Sequence, residues 1–154
     1  MFSKVFGELN YDFIWEGEVS IQLFGKEYFI KLDINDEDEI GITKLQEDSF
    51  LAYKDKECEL EEKIREAIFQ YYTEICTIRR EEIDANILDK LPVIRVSADM
   101  EKLISPVQFC IPELEENREV ILLFDCKWNY NAGMGVKIVN EEVVRVGIQN
   151  DVLI

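Results

Sequence analysis

The stretch Tyr11-Asp12-Phe13-Ile14-Trp15-Glu16-Gly17-Glu18-Val19-Ser20-Ile21-Gln22-Leu23-Phe24-Gly25-Lys26-Glu27-Tyr28-Phe29-Ile30-Lys31-Leu32-Asp33-Ile34 carries a period of two on both sides of Gly25. Phe13, Trp15, Val19, Ile21 and Leu23 take odd positions, and Tyr28, Ile30, Leu32 and Ile34 take even ones. Side chains of a strand point alternately to opposite faces, so this spacing predicts two half-buried strands joined as a hairpin. A two-residue Gly25-Lys26 loop would set Leu23 opposite Tyr28, Ile21 opposite Ile30 and Val19 opposite Leu32, with all the apolar side chains on one face. Glycine at the first loop position suits a type II′ turn. Glu18, Gln22, Lys31 and Asp33 then belong to the solvent face.

Moving outward, the acidic run Asp33-Ile34-Asn35-Asp36-Glu37-Asp38-Glu39-Ile40-Gly41 is too charged for a core and reads as a connection. Thr43 followed by Gln46 has the spacing of a capping box, which predicts a short helix to about Tyr53. A stronger helix is expected from Glu57 to Arg80. There Leu60, Ile64, Ala67, Ile68, Tyr71, Ile75 and Ile78 recur every three or four residues as one stripe. Ile83, Ile87, Leu88 and Leu91 continue at helical spacing until Pro92, and a further short helix is expected through Met100, Leu103 and Ile104. Strand periodicity then returns in Val107, Phe109 and Ile111, with Pro112 ending the run and Glu113 to Glu119 forming a second acidic connection. Val120 to Phe124 is apolar on both faces, as in a strand inside a sheet. Val136 to Val139 and Val143 to Ile148 form a hairpin about Asn140-Glu141-Glu142, where two-residue and three-residue loops bring different valines together.

Strand pair, helices, then a meander: this order predicts an α+β domain over residues 1–154. Its single antiparallel or mixed sheet joins the N-terminal hairpin to the C-terminal meander, and the long helix packs on one face.

Composition narrows the function. The 154 residues hold 33 Asp and Glu against 17 Lys and Arg, a formal charge of −16, and no histidine. Such a surplus repels a phosphate backbone and an anionic membrane surface alike, so neither nucleic acid nor membrane is an expected partner. Without histidine there is no Ser-His or Cys-His nucleophile pair and the commonest zinc ligand is missing. Cys58, Cys76, Cys110 and Cys126 are too widely spaced for a zinc ribbon or a dithiol motif. They are read as reduced thiols, and with no signal-peptide core near the N-terminus the expected location is cytoplasmic.

The glycine loop Asn131-Ala132-Gly133-Met134-Gly135 lacks the Lys-Ser/Thr of a Walker loop and is followed by strand residues, so it reads as a bent β connection rather than a phosphate cradle. Asp36 to Glu39 lacks the glycine and terminal glutamate of an EF-hand loop. It stands as a solvated run or a partner-binding patch, with a metal site as the third reading. Tyr71 and Trp128 are expected in the core. No catalytic residue, metal or cofactor is expected.

Phe124-Asp125-Cys126-Lys127-Trp128, Gly133-Met134-Gly135-Val136 and Val144-Arg145-Val146-Gly147-Ile148-Gln149-Asn150-Asp151 together are similar to the closing segment of a group of uncharacterised bacterial domains. Members of that group recur as immunity proteins beside polymorphic toxins, including those of contact-dependent growth inhibition. Ala132 stands where the group often has histidine, which argues against essential chemistry there. The resemblance implies a binding protein, not an enzyme, whose partner is a toxin. Many such toxins are nucleases with cationic grooves, and an acidic surface would be steered to one. The two densest acidic connections supply the candidate toxin-binding residues: Asp36, Glu37, Asp38 and Glu39, then Glu113, Glu115, Glu116 and Glu119. The alternative is a carboxylate-based enzyme, or a domain binding a small molecule or metal.

Overall fold

A computed structural model describes residues 1–80 and 91–153. It is an α+β fold built on one mixed sheet of seven strands, with a two-stranded ribbon of β1 (Phe2–Ser3) and β2 (Gly7–Glu8) beside it. The sheet comprises β3 (Asn10–Asp12), β4 (Ile14–Leu23), β5 (Lys26–Asn35), β6 (Ile104–Ile111), β7 (Glu119–Cys126), β8 (Met134–Val139) and β9 (Glu142–Gly147), adjacent in that order. All neighbours are antiparallel except β5 and β6, which run parallel. A parallel pair needs a long crossover. This one carries α1 (Lys44–Asp55), α2 (Glu57–Arg80) and a 3₁₀ turn at Ser97–Lys102.

The N-terminal hairpin has the expected face but a different register. Leu23 pairs with Lys26, Ile21 with Tyr28 and Val19 with Ile30, two residues from the expected pairing. The turn residues are Phe24 and Gly25, both with positive φ (55° and 70°), which is the type I′ turn that matches strand twist. A shift of two residues preserves the side-chain period, so Val19, Ile21, Leu23, Ile30, Leu32 and Ile34 are still buried together. Phe13 departs from that face. The chain reverses at it, Asp12 pairing with Ile14, and the residue is 85% exposed. Asp33 faces away from the helices as expected, yet it is buried there, among Glu16, Lys31 and the amide of Gln108, which donates to it.

Thr43 and Gln46 make the capping box of α1, each side chain bonding the other's backbone N–H. Leu60, Ile64 and Ile68 of α2 are buried against the core, and from there the stripe moves to Tyr72 and Cys76 while Tyr71 and Ile75 stay half-buried. Steps of four residues advance about 40° around a helix of 3.6 residues per turn, so the buried row swings along α2. It swings because the partner changes: Tyr72 packs against Trp128 with ring centres 5.0 Å apart and ring planes tilted by 55°, and donates its hydroxyl to the Pro92 carbonyl. Ile83, Ile87 and Leu88 lie outside the described residues. Ile104 opens β6 instead of ending a helix.

Two bulges settle the second half. Between Pro106 and Gln108 the β6–β7 ladder slips by one, which puts Phe109 and Ile111 in the main core and leaves Val107 beside Ile121, Leu123 and Val152 on the opposite face. The β8–β9 hairpin uses both registers that its sequence allows. Asn140 and Glu141, at φ 48° and 61°, close a two-residue turn with Val139 opposite Glu142, and a bulge at Val144 then sets Lys137 opposite Arg145. One turn of helix, α3 (Gln149–Val152), folds back on β7, β8 and β9.

Candidate functional site

Sheet topology brings the two acidic connections to the same place. β5 and β6 finish, and β7 begins, at one end of the sheet, so residues 36–43 and 112–118 leave from neighbouring strands. Gln46, buried at the start of α1, ties them together by donating from Nε2 to the carbonyls of Asn35 (2.8 Å) and Pro112 (3.0 Å). The Glu113 carboxylate accepts from the backbone N–H of Glu37. One acidic surface results.

The eight candidate acids do not share one fate. Glu37, Asp38, Glu39, Glu113, Glu115 and Glu116 are exposed. Asp36 is not a surface carboxylate: it is 3% exposed and accepts from the Trp15 indole (3.1 Å) and from the N–H groups of Ile40 (2.9 Å) and Gly41 (3.0 Å). It holds the loop against β4. Glu119 is half-buried in β7, paired with Lys137 at 3.2 Å, while its N–H donates to the Ser49 hydroxyl. Arg118, the last residue of the second connection, is held by both oxygens of Glu141 at 2.9 Å, an arrangement that raises the pKa of its guanidinium.

Sequence reasoning missed the apolar part of this end. Phe13 and Ile40 are 85% and 76% exposed, and Tyr11 packs against Trp15 with ring centres 5.0 Å apart and ring planes tilted by 52°. Desolvation, helped by the carboxylates of Glu39 and Asp36, pushes the Tyr11 phenol up. The alternation of residues 13–23 concealed Phe13. Ile40 did carry a signal, as the apolar residue that closes an acidic run just before Gly41.

The opposite end has another character. Lys26, Lys102, Lys127 and Tyr130 line an open cleft of about 520 Å³ together with Glu101 and Asp125. The glycine loop lies nearby and is a bent connection. Its Ala132 and Gly133 N–H groups are both taken by Asn129, and Gly133 has φ 62°. Gln149 Nε2 donates to the Phe124 carbonyl at 3.2 Å, against the bare Cα of Gly133, and Val152 packs where a side chain on Gly135 would stand. The similarity noted in the C-terminal segment therefore corresponds to a packed clasp. Cys76 and Cys126 are buried, Cys110 is half-buried with its thiol pushed up to about 12 by burial, and Cys58 is exposed. Among the described residues, no three acids or cysteines stand close enough to hold a metal ion. No helix there is long and apolar enough to cross a membrane.

The sequence model of one family matches from residue 5 to residue 153, across every strand of the large sheet. The chain belongs to the DUF6985 family, a domain of unknown function. No curated protein and no solved structure matches it. In this DUF6985 domain the acidic end is thus formed by connections that lie wholly inside the family's span, as are Phe13 and the C-terminal clasp.

Proposed function

We propose that this domain is an immunity protein, acting in the cytoplasm, that neutralises a basic toxin by binding it through the acidic end of the sheet. The supporting observation is the convergence of the two acidic connections, which carry six exposed carboxylates, at the end of the sheet that also presents the exposed Phe13 and Ile40. Loops fixed to a scaffold are suited to recognition, and carboxylates in this number pair with the Arg and Lys that a nuclease uses for phosphate. The reading assigns no catalytic role, and its inhibition is steric and electrostatic.

The test is co-expression with the protein encoded beside it. Rescue of growth and a stable complex support the reading, and absence of both refutes it. The sixfold variant E37Q/D38N/E39Q/E113Q/E115Q/E116Q leaves Asp36 and Glu119 in place. It should associate at least about tenfold more slowly at low salt, with the difference shrinking as salt rises, since steering of this kind is worth about 10- to 1000-fold. Equal on-rates with an unchanged salt slope would remove the electrostatic part of the proposal.

A further inference from the structure

We propose that Phe13 is the anchor of this docking face: its ring enters an apolar pocket on a basic protein partner whose Lys and Arg side chains ring the pocket and meet the surrounding carboxylates. The inference rests on the reading of the acidic end given above.

The odd-position pattern Phe13, Trp15, Val19, Ile21 destines Phe13 for the core, and the chain sends it to solvent instead. It does so through a left-handed backbone, φ 65°, at the apex between Asp12 and Ile14. A bulky side chain with positive φ is an outlier, and glycine or asparagine would occupy the position without that strain. The fold therefore gains neither burial nor a relaxed turn from phenylalanine here. Residues held in strained backbone conformations cluster at binding sites and other functional positions. Aromatic rings are enriched in protein interfaces, where a rigid ring contributes large contact area at small entropic cost.

The ring is also well supported. Ile14 pairs with Asn35, the last residue before the acidic loop. Trp15, next along, packs against the Tyr11 ring and donates to Asp36, which in turn holds the N–H of the exposed Ile40. Phe13 thus stands on the strand end to which the acidic loop is fastened.

Charge selects the occupant. No Lys or Arg occurs between Val5 and Gly25 or between Leu32 and Thr43, whereas Asp12, Glu37, Asp38 and Glu39 are exposed there, and the flanking cations are paired, Lys31 with Glu16 and Asp33, Lys44 with Asp48 and Arg118 with Glu141. A second copy would oppose one acidic end to another. A cationic protein surface would not.

The experiment uses the full chain and, as probe, the product of the neighbouring gene with its active site disabled. Phe13→Gly and Phe13→Asn are made because both residues accept positive φ. The expected result is a Tm equal to or above the parent's, with affinity for the probe reduced at least about thirtyfold, the loss that marks an interface hot spot. Phe13→Trp should retain binding. If the parent binds and both variants bind equally, the anchor is refuted while the acidic-face reading stands. A lowered Tm in both variants would show that the ring serves the fold, and this too refutes the proposal. A parent that dimerises alone, with monomeric variants, would make a second copy the occupant and overturn the basic partner. No binding by the parent overturns both readings.

Discussion

Gly133→Ala tests whether the C-terminal clasp is built as described. A methyl group at Gly133 would stand 2.4 Å from Gln149 Nε2 and 3.0 Å from the Phe124 carbonyl oxygen, on a backbone with φ 62°. Two costs follow. Placing alanine in the left-handed region costs roughly 1–2 kcal/mol. Pushing Gln149 aside breaks its bond to the Phe124 carbonyl, worth about 1 kcal/mol. The single variant should therefore lose about 2–3 kcal/mol, read as a lowered urea midpoint at unchanged m-value. With Gln149 already replaced by alanine, only the backbone cost and the carbonyl contact remain. Gly133→Ala should then be cheaper by about 1 kcal/mol, a coupling well above the roughly 0.3–0.5 kcal/mol seen for independent sites. Equal costs in the two backgrounds would refute the clasp, and a single-variant loss below about 0.5 kcal/mol would refute the backbone argument as well.

Ile68, fully buried on α2, should lose about 2–5 kcal/mol as alanine by equilibrium unfolding, through lost burial and the cavity left behind. Asp36→Ala orphans the Trp15 indole and two backbone N–H groups, so it should cost about 2–4 kcal/mol in the same assay. Neutralising Glu37, Asp38 and Glu39 should stay within about 0.5 kcal/mol. Burial raises the pKa of Asp33, only partly offset by Lys31 at 3.5 Å. The folded chain therefore holds that proton more tightly than the unfolded one, and the penalty for ionising is absent at acid pH and complete above the folded pKa. Asp33→Asn should raise Tm at neutral pH, and the gain should fade on acidification, as a Tm series against pH would record.

The strand period in residues 13–34 identified the buried face of the hairpin, because a side-chain period of two survives a register error of two. It could not choose between turns. Positive φ at Phe24 as well as Gly25 was open to the chain, and phenylalanine gives no sign of it. Thr43, Gln46 and the span of α2 were legible because capping chemistry and helical period are local. Tyr72 was not, since its burial comes from Trp128 and Pro92, both distant in sequence. The acidic surface was legible as composition but not as geometry. That Asp36 holds its own loop while Glu37 to Glu39 are exposed depends on Trp15, which arrives from another strand.

The parallel joint between β5 and β6 bears on how the molecule assembles. Strands β3 to β5 pair only through tight turns, as do β8 and β9, while β6 and β7 meet across one short loop. These contacts close small loops and form early, in microseconds for a hairpin. β5 and β6 meet only after the whole stretch between Asn35 and Ile104 has been drawn in, a closure whose entropy must be met before any pairing compensates for it. The β5–β6 seam is therefore the strand pairing that carries the largest loop-closure entropy in the sheet. The acidic end straddles that seam, so bringing its two loops together carries the same closure entropy.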